Sequence, residues 1–224
     1  MTQTNSDILR SFIDEVTNQK HLNLIPKYLS KKYIAHGTPY VGVGCKSDDK
    51  SGDKIIIDGI FPDSPAEGKL MVGDEILRVF DGERTWKTFE ELREGLWGHG
   101  VIGTPVTVWV RRDNVEQEIT IVRGLVKAAE FSYQDVETGS REWIKEWPDL
   151  TTHLVNVIEA GDLVAYNAQN QGHNTRYGRS AVWAECGMVR VKDGKITDWW
   201  SVEDIYTQFK QLGYSIHEPV LAKV

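Results

Sequence analysis

Four consecutive segments in the second half of the chain, Thr151 to Glu159, Leu163 to Gly172, Ser180 to Lys192 and Ile196 to Val202, alternate apolar and polar residues at period two. Short turns such as Ala160-Gly161-Asp162 and Lys192-Asp193-Gly194-Lys195 separate them. Side chains along a strand point to alternate faces, so long alternating runs joined by tight turns specify an antiparallel meander with one protected face. That face needs a helical cover. Ile8, Leu9, Phe12, Ile13 and Val16 recur at helical spacing over Asp7 to Val16, with Asn5, Ser6 or Asp7 available as a cap. A helix is expected near Ser140 to Glu146, and a last one over Ile205 to Leu212 stops at Gly213. Leu22 to Leu29 reads as a short helical segment interrupted by Pro26, and Tyr33 to His36 as an extended piece.

Between these flanks the character changes. Ile55 to Ile60 and Glu75 to Phe80 read as short strands, and Thr88 with Glu91 forms a capping box ahead of Phe89, Leu92 and Leu96. Val106 to Val110 and Glu118 to Val122 alternate around an Asp113-Asn114 turn, as a hairpin does. Helices followed by a curved antiparallel meander make an α+β fold, and the block from Tyr40 to Gly124 interrupts it as an inserted domain. The expected division is 1–39 and 125–224 for the split domain and 40–124 for the insert.

Composition narrows the partners. Lys plus Arg number 26 against 33 Asp plus Glu, a net charge of −7, and no Lys/Arg run exceeds two residues, so nucleic acid is not an expected partner. Apolar runs fall far short of the ~20 residues that cross a bilayer, so no membrane is expected either. The polar start shows no secretory signal, and Cys45 and Cys186 stand alone, which suits a cytoplasmic protein. No His/Cys/Asp group has metal spacing and no Gly-rich strand-to-helix turn suggests a nucleotide, so no cofactor is expected. Eight Trp, eight Tyr and six Phe are enough rings to fill cores or to line an apolar cavity.

Two family resemblances follow. Gly42-Val43-Gly44-Cys45, Asp63-Ser64-Pro65-Ala66, Val72-Gly73-Asp74-Glu75-Ile76-Leu77 and Gly103-Thr104-Pro105-Val106 stand in the order found in PDZ domains of the bacterial protease-associated type. The resemblance implies a small β-barrel or sandwich with two helices that binds a peptide or protein C-terminus. Backbone N–H groups at Gly42, Val43, Gly44 and Cys45 would hold the carboxylate, and Phe89, Leu92 and Leu96 would wall the side-chain groove. They are equally readable as core. The chain's own last residue, Val224, after an apolar stretch, is a possible occupant in trans.

The flanks resemble one SnoaL-like polyketide cyclase domain, a cone of the nuclear transport factor two-like superfamily. Trp147-Pro148-Asp149-Leu150, Glu159 to Ala165, Arg190 to Ile196, Trp200 to Asp204 and Gln211-Leu212-Gly213 carry the likeness, with Tyr33-Ile34-Ala35-His36 from the first flank. The sequence departs from the family at Gln171 to Gly178 and at Trp199-Trp200-Ser201, where a polar pair is replaced by a ring and a hydroxyl. The resemblance implies a homodimer and a cone that holds a small apolar, enolisable carbonyl compound.

In that reading Asp204 is the general acid/base and His36 its partner at the cone opening, with His153, His173, Arg190, Trp183 and Trp200 as substrate contacts. The plain alternatives stay open. Ser201 and Asp204 have capping-box spacing, and the tryptophans serve equally as packing. A second reading makes the protein a non-enzymatic adaptor or ligand sensor whose cone serves dimerisation or small-molecule binding.

Overall fold

The structure is a computed structural model that describes residues 3–48, 53–93, 96–127 and 129–214. It divides into two compact units, residues 1–36 with 131–224 and residues 37–130. The docking of Val224 falls outside the described residues.

Unit 1 opens with helix α1 (Asn5–Ser11), which continues through a wider π-type turn over Phe12–Asn18. Its cap is Thr4, not the three residues favoured by the sequence, because the Thr4 hydroxyl takes the Asp7 N–H and the Asp7 carboxylate takes the Thr4 N–H. A 3-10 turn (Leu22–Leu24) leads into α2 (Ile25–Tyr28), where Pro26 sits in the first turn and needs no N–H partner. Strand β1 (Leu29–His36) follows directly, longer than the four residues expected.

Unit 2 comprises β2 (Tyr40–Gly42), β3 (Cys45–Asp48), β4 (Ile55–Ile60), β5 (Glu75–Phe80), β6 (Thr85–Trp86), α3 (Phe89–Arg93), β7 (Pro105–Arg112), β8 (Val115–Val122) and β9 (Gly124–Val126). Its sheet runs β3-β4-β5-β7-β8, with β6 beside β5, while β2 and β9 form a separate antiparallel pair. The β7–β8 hairpin turns at Asp113 (φ 51°) and Asn114 (φ 62°), the two left-handed residues a two-residue turn demands. Val106, Val108 and Val110 alternate onto the buried side and join Ile55, Ile57, Ile76, Val79, Trp86, Leu92 and Trp97 in one core.

The second segment of unit 1 supplies β10 (Glu130–Ser132), α4 (Tyr133–Glu146), β11 (Thr151–Ala160), β12 (Leu163–Asn174), β13 (Arg179–Lys192), β14 (Lys195–Glu203) and α5 (Ile205–Leu212). α4 starts seven residues before the expected Ser140, where Ser132 and Asp135 exchange the capping bonds that fix its first turn. The sheet order is β10-β1-β14-β13-β12-β11; β1 pairs parallel with β14, and β14 through β11 form the antiparallel meander. Unit 2 is thus inserted in the connection between the neighbouring strands β1 and β10.

One face of this sheet meets the N-terminal helices. Leu9, Ile25, Leu29, Val164, Val189 and Ile196 are at most 1% exposed and join Phe12, Ile13, Val16, Tyr28, Tyr33 and Tyr166 in the main core. Burying each of the aliphatic side chains contributes about 1.5–3 kcal/mol. A second cluster of Trp147, Leu150, Ala181, Trp183 and Leu212 fills the other end, where α5 crosses β13.

Candidate functional site

Strand parity decides what the protected face of unit 1 carries. Trp183 and Trp199 are held there, Trp183 buried in the second cluster and Trp199 against the main core, tilted on Phe12 at 5.4 Å. Residues two and four positions along share their face. Glu185 follows Trp183, Ser201 and Glu203 follow Trp199, and the register places Glu185 directly opposite Glu203 and Gly187 opposite Ser201. Across β12, Ala168 faces Glu185 and Tyr166 faces Gly187. Two carboxyls therefore stand side by side among rings.

Both are tied into polar contacts. The Trp183 indole N–H donates to Glu203 Oε2 at 2.6 Å. The Tyr166 hydroxyl donates to Glu185 Oε1 at 2.5 Å and itself accepts the Trp199 indole N–H at 2.8 Å. Asn170 Nδ2 donates to Glu185 Oε2 at 3.0 Å, while the Thr152 hydroxyl donates to Asn170 Oδ1 at 2.7 Å. Tyr166, Asn170 and Thr152 are buried, whereas Glu185, Ser201 and Glu203 keep partial exposure. Burial pushes the Glu203 carboxyl above the usual range, the Trp183 hydrogen bond opposes this, and the Glu185 charge adds to it. The Tyr166 hydroxyl is raised far beyond its ordinary value, first by burial and then by Glu185.

Gly187 makes room for this arrangement. A Cβ there would lie 2.4 Å from the Tyr166 hydroxyl oxygen and 2.7 Å from the Trp200 carbonyl oxygen, so any other residue displaces the tyrosine.

Asp204 lies elsewhere. It is exposed and caps α5, accepting the Thr207 N–H at 3.0 Å. Its hydrogen bonds with Thr207, side chain first and backbone second, hold its carboxyl below the usual range. Its neighbour Glu203, the last residue of β14, is the acid on the ring-bearing face beside Glu185 and Trp183.

His36, Arg190 and Trp200 are brought together, but on the sheet face opposite the core. His36 pairs in register with Trp200, and the rings stack at 4.5 Å with planes 4° apart. His36 Nε2 is 3.1 Å from Asp198 Oδ1; Arg190 reaches Asp198 at 3.4 Å and Asp162 at 3.3 Å and lies 5.4 Å from the Trp200 ring. That face is opposite the one that carries Tyr166, Glu185 and Glu203. His153 is exposed on the outward side of β11. His173 is exposed too, its backbone N–H on Asp149 Oδ1 and its ring near the Ser180 hydroxyl. Of the expected substrate contacts, Trp183 lies on the inward face, where its indole N–H meets Glu203.

In unit 2, Gly44 has a φ of +84° and lies so close to Ser64 that a Cβ would stand 2.2 Å from the Ser64 Cβ. The segment is pinned: the Val43 N–H donates to the Gly98 carbonyl, and the Gly44 carbonyl accepts the Phe61 N–H and the Ser64 hydroxyl. Gly42 and Val43 are buried, Cys45 is half-buried, and burial pushes its thiol up to about 12. Leu92 is 3% exposed and part of the core, while Phe89 is half-buried against that core. The Leu96 backbone starts a 3-10 turn (Leu96–Gly98), and its side chain is outside the described residues. Strand β3 bonds to β4 on one side, and among the described residues no strand takes its other edge.

Residues 122–212 match the family model described as SnoaL-like polyketide cyclase. Among solved structures, wild-type IdmH from Streptomyces antibioticus superposes with a TM-score of 0.50 at 15% identity, covering 94% of this chain and 99% of that one. The chain contains a SnoaL-like fold. A loop-truncation variant of IdmH gives the same TM-score and identity over 100% of its length. A SnoaL-like polyketide cyclase from Agrobacterium tumefaciens gives 0.49 at 11% identity, over 95% of this chain and 100% of that one. No curated protein matches this sequence. Among the described residues no helix is long and apolar enough to cross a membrane, and no group of three or more His, Cys, Asp or Glu is arranged to hold a metal ion.

Proposed function

We propose that the SnoaL-like cone is an acid–base catalyst acting on a small enolisable carbonyl compound, with Glu203 as the group that takes and returns the proton. The observation that carries this reading is the setting of Glu203: a half-buried carboxyl on the ring-lined face, beside a second carboxylate, with its proton affinity raised by both. A base whose pKa approaches the working pH both accepts and releases a proton efficiently. Glu203 removes the hydrogen α to the carbonyl, and the C–H electron pair becomes the enolate. Where the enolate is conjugated with a double bond, Glu203 returns the proton to the γ carbon, which is isomerisation; otherwise the α carbon attacks a second carbonyl, which closes a ring. In the second case the new alkoxide takes the proton back from Glu203. Ser201, two residues earlier on the same face, would donate its hydroxyl to the enolate oxygen.

The test is exchange of α-hydrogen for deuterium on a panel of small cyclic and aromatic ketones, followed by NMR. The wild-type protein accelerates exchange for at least one member, Glu203→Gln lowers that rate by about 10²–10⁴-fold, and Asp204→Asn leaves it within about twofold. Equal rates in Glu203→Gln and wild type would remove Glu203 from the reaction.

A second reading concerns unit 2, which we propose to be a PDZ domain that binds a peptide C-terminus along the open edge of β3. The left-handed Gly44 at the start of that edge and the position of β3 at the end of the sheet order among the described residues favour it. Fluorescence polarisation with a labelled apolar-ended peptide decides the matter: binding that disappears when the carboxylate is amidated supports it, and equal affinity for both forms refutes it.

A further inference from the structure

Glu185 and Glu203 stand opposite each other, yet their oxygens are dressed unequally. Both oxygens of Glu185 are occupied by donors, Oε1 by Tyr166 and Oε2 by Asn170. The direction of each bond is fixed further out. The Trp199 indole nitrogen only donates, so the Tyr166 oxygen must accept from it and the tyrosine's own hydrogen goes to Glu185. The Thr152 hydroxyl satisfies Asn170 Oδ1, leaving the amide nitrogen for Glu185. Thr152 is held in turn by Asn18, whose side-chain amide accepts the Thr152 N–H at 2.8 Å and donates to its carbonyl at 3.1 Å. Glu203 has the single donor Trp183 on Oε2, and among the described residues no donor meets its Oε1.

We propose that the chain Asn18–Thr152–Asn170–Glu185–Tyr166–Trp199 is a positioning device that assigns the exchangeable proton of the site to Glu203 and keeps Glu185 as its deprotonated partner. This rests on the reading of Glu203 as the proton-carrying group. Two carboxyls side by side are not easily both charged at once, so protonating one of them relieves the repulsion. Placing the proton on either oxygen of Glu185 would turn an acceptor toward a donor and break a buried hydrogen bond. On Glu203 Oε1 the same proton displaces no donor among the described residues. Tyr166, Asn170 and Thr152 are therefore positioning residues that act through Glu185.

The experiment is a site-resolved titration by NMR of protein with ¹³C-labelled glutamate carboxyls, comparing wild type with the double variant Tyr166→Phe/Asn170→Leu and the single variant Tyr166→Phe. In wild type the upper step belongs to Glu203, by on the order of tenfold in proton occupancy. In the double variant, with Glu185 stripped of its donors, the upper step moves to Glu185 or is shared within about threefold, and Tyr166→Phe gives part of that change. Loss of packing alone does not exchange which carboxyl holds the proton. If the double variant does not fold, the single variant decides. A step that stays with Glu203 unchanged overturns the positioning claim while leaving the proposed function intact; a wild type in which Glu203 does not carry the upper step overturns both.

Discussion

The protected side of the sheet in unit 2 is hydrocarbon: Ile55, Ile57, Ile76, Val79, Val106, Val108, Val110 and Ile121 are at most 3% exposed. The corresponding side in unit 1 begins in the same way at Val164, Val189 and Ile196 but gives way along the same strands to Tyr166, Asn170, Glu185, Ser201 and Glu203. Polar groups in such a place cost stability unless every one finds a partner. Unit 2 buries charge as well: Arg123, 4% exposed, donates to the Trp97 carbonyl and the Thr104 hydroxyl, and Asp74 is matched by a cation. Arg112 meets both Asp74 oxygens at 2.7 Å, Asp74 also takes the Met71 N–H, and Asp74 is 1% exposed. The contrast separates a buried pair of opposite charge from two neighbouring carboxyls on one sheet face.

The largest effect should come from breaking the neutral pair. Arg112→Met leaves Asp74 buried without its cation and destabilises unit 2 by about 3–5 kcal/mol. Hydrogen exchange should show that loss in β5 and β7 and little change in β12 and β13; equal loss in both units would undo the comparison. Next in size is Gly187→Ala, which forces a methyl onto the Tyr166 hydroxyl and costs about 1–3 kcal/mol. It should also release the Trp199 indole N–H, visible as a shifted resonance. Gly44→Ala should cost a similar or slightly smaller amount, about 1–3 kcal/mol, from its left-handed backbone and the approach to Ser64, and should weaken any peptide binding while leaving ketone exchange unchanged.

The smallest effect has the most telling sign. Folding raises the Glu203 carboxyl, so the folded chain holds that proton more tightly than the unfolded one. The stabilisation this gives is present below the unfolded value and is lost as pH rises through the folded value. Glu203→Gln removes the dependence. Its stability relative to wild type should rise from pH 4 to pH 8 in urea denaturation, even though exchange is lost, whereas a function-neutral surface glutamine would show no such trend.

Much of the fold was readable from the sequence because its signals are local. The period-two runs gave β11 to β14 to within a few residues, and Asp113-Asn114 and Asp193-Gly194 turn where left-handed residues are available. The start of α4 was missed because its first turns hold Thr138 and Gly139 and offer only Tyr133 and Val136 to the core. The site was legible only in part. Resemblance drew attention to Asp204 and His36, yet parity alone, counted from Trp183 and Trp199, puts Glu185 and Glu203 on the ring-bearing face and Asp204 off it. Sequence could not give the Tyr166–Glu185–Asn170 contacts, since they depend on the register between three strands and on the space at Gly187.

One spectrum tests the central claim most directly: the carboxyl titrations of Glu203 and Asp204 followed together in the wild-type protein. The account predicts that Glu203 titrates above the ordinary glutamate range and Asp204 below the ordinary aspartate range. An ordinary or depressed Glu203, or an Asp204 that titrates above it, would contradict the assignment of the proton to the interior of the cone.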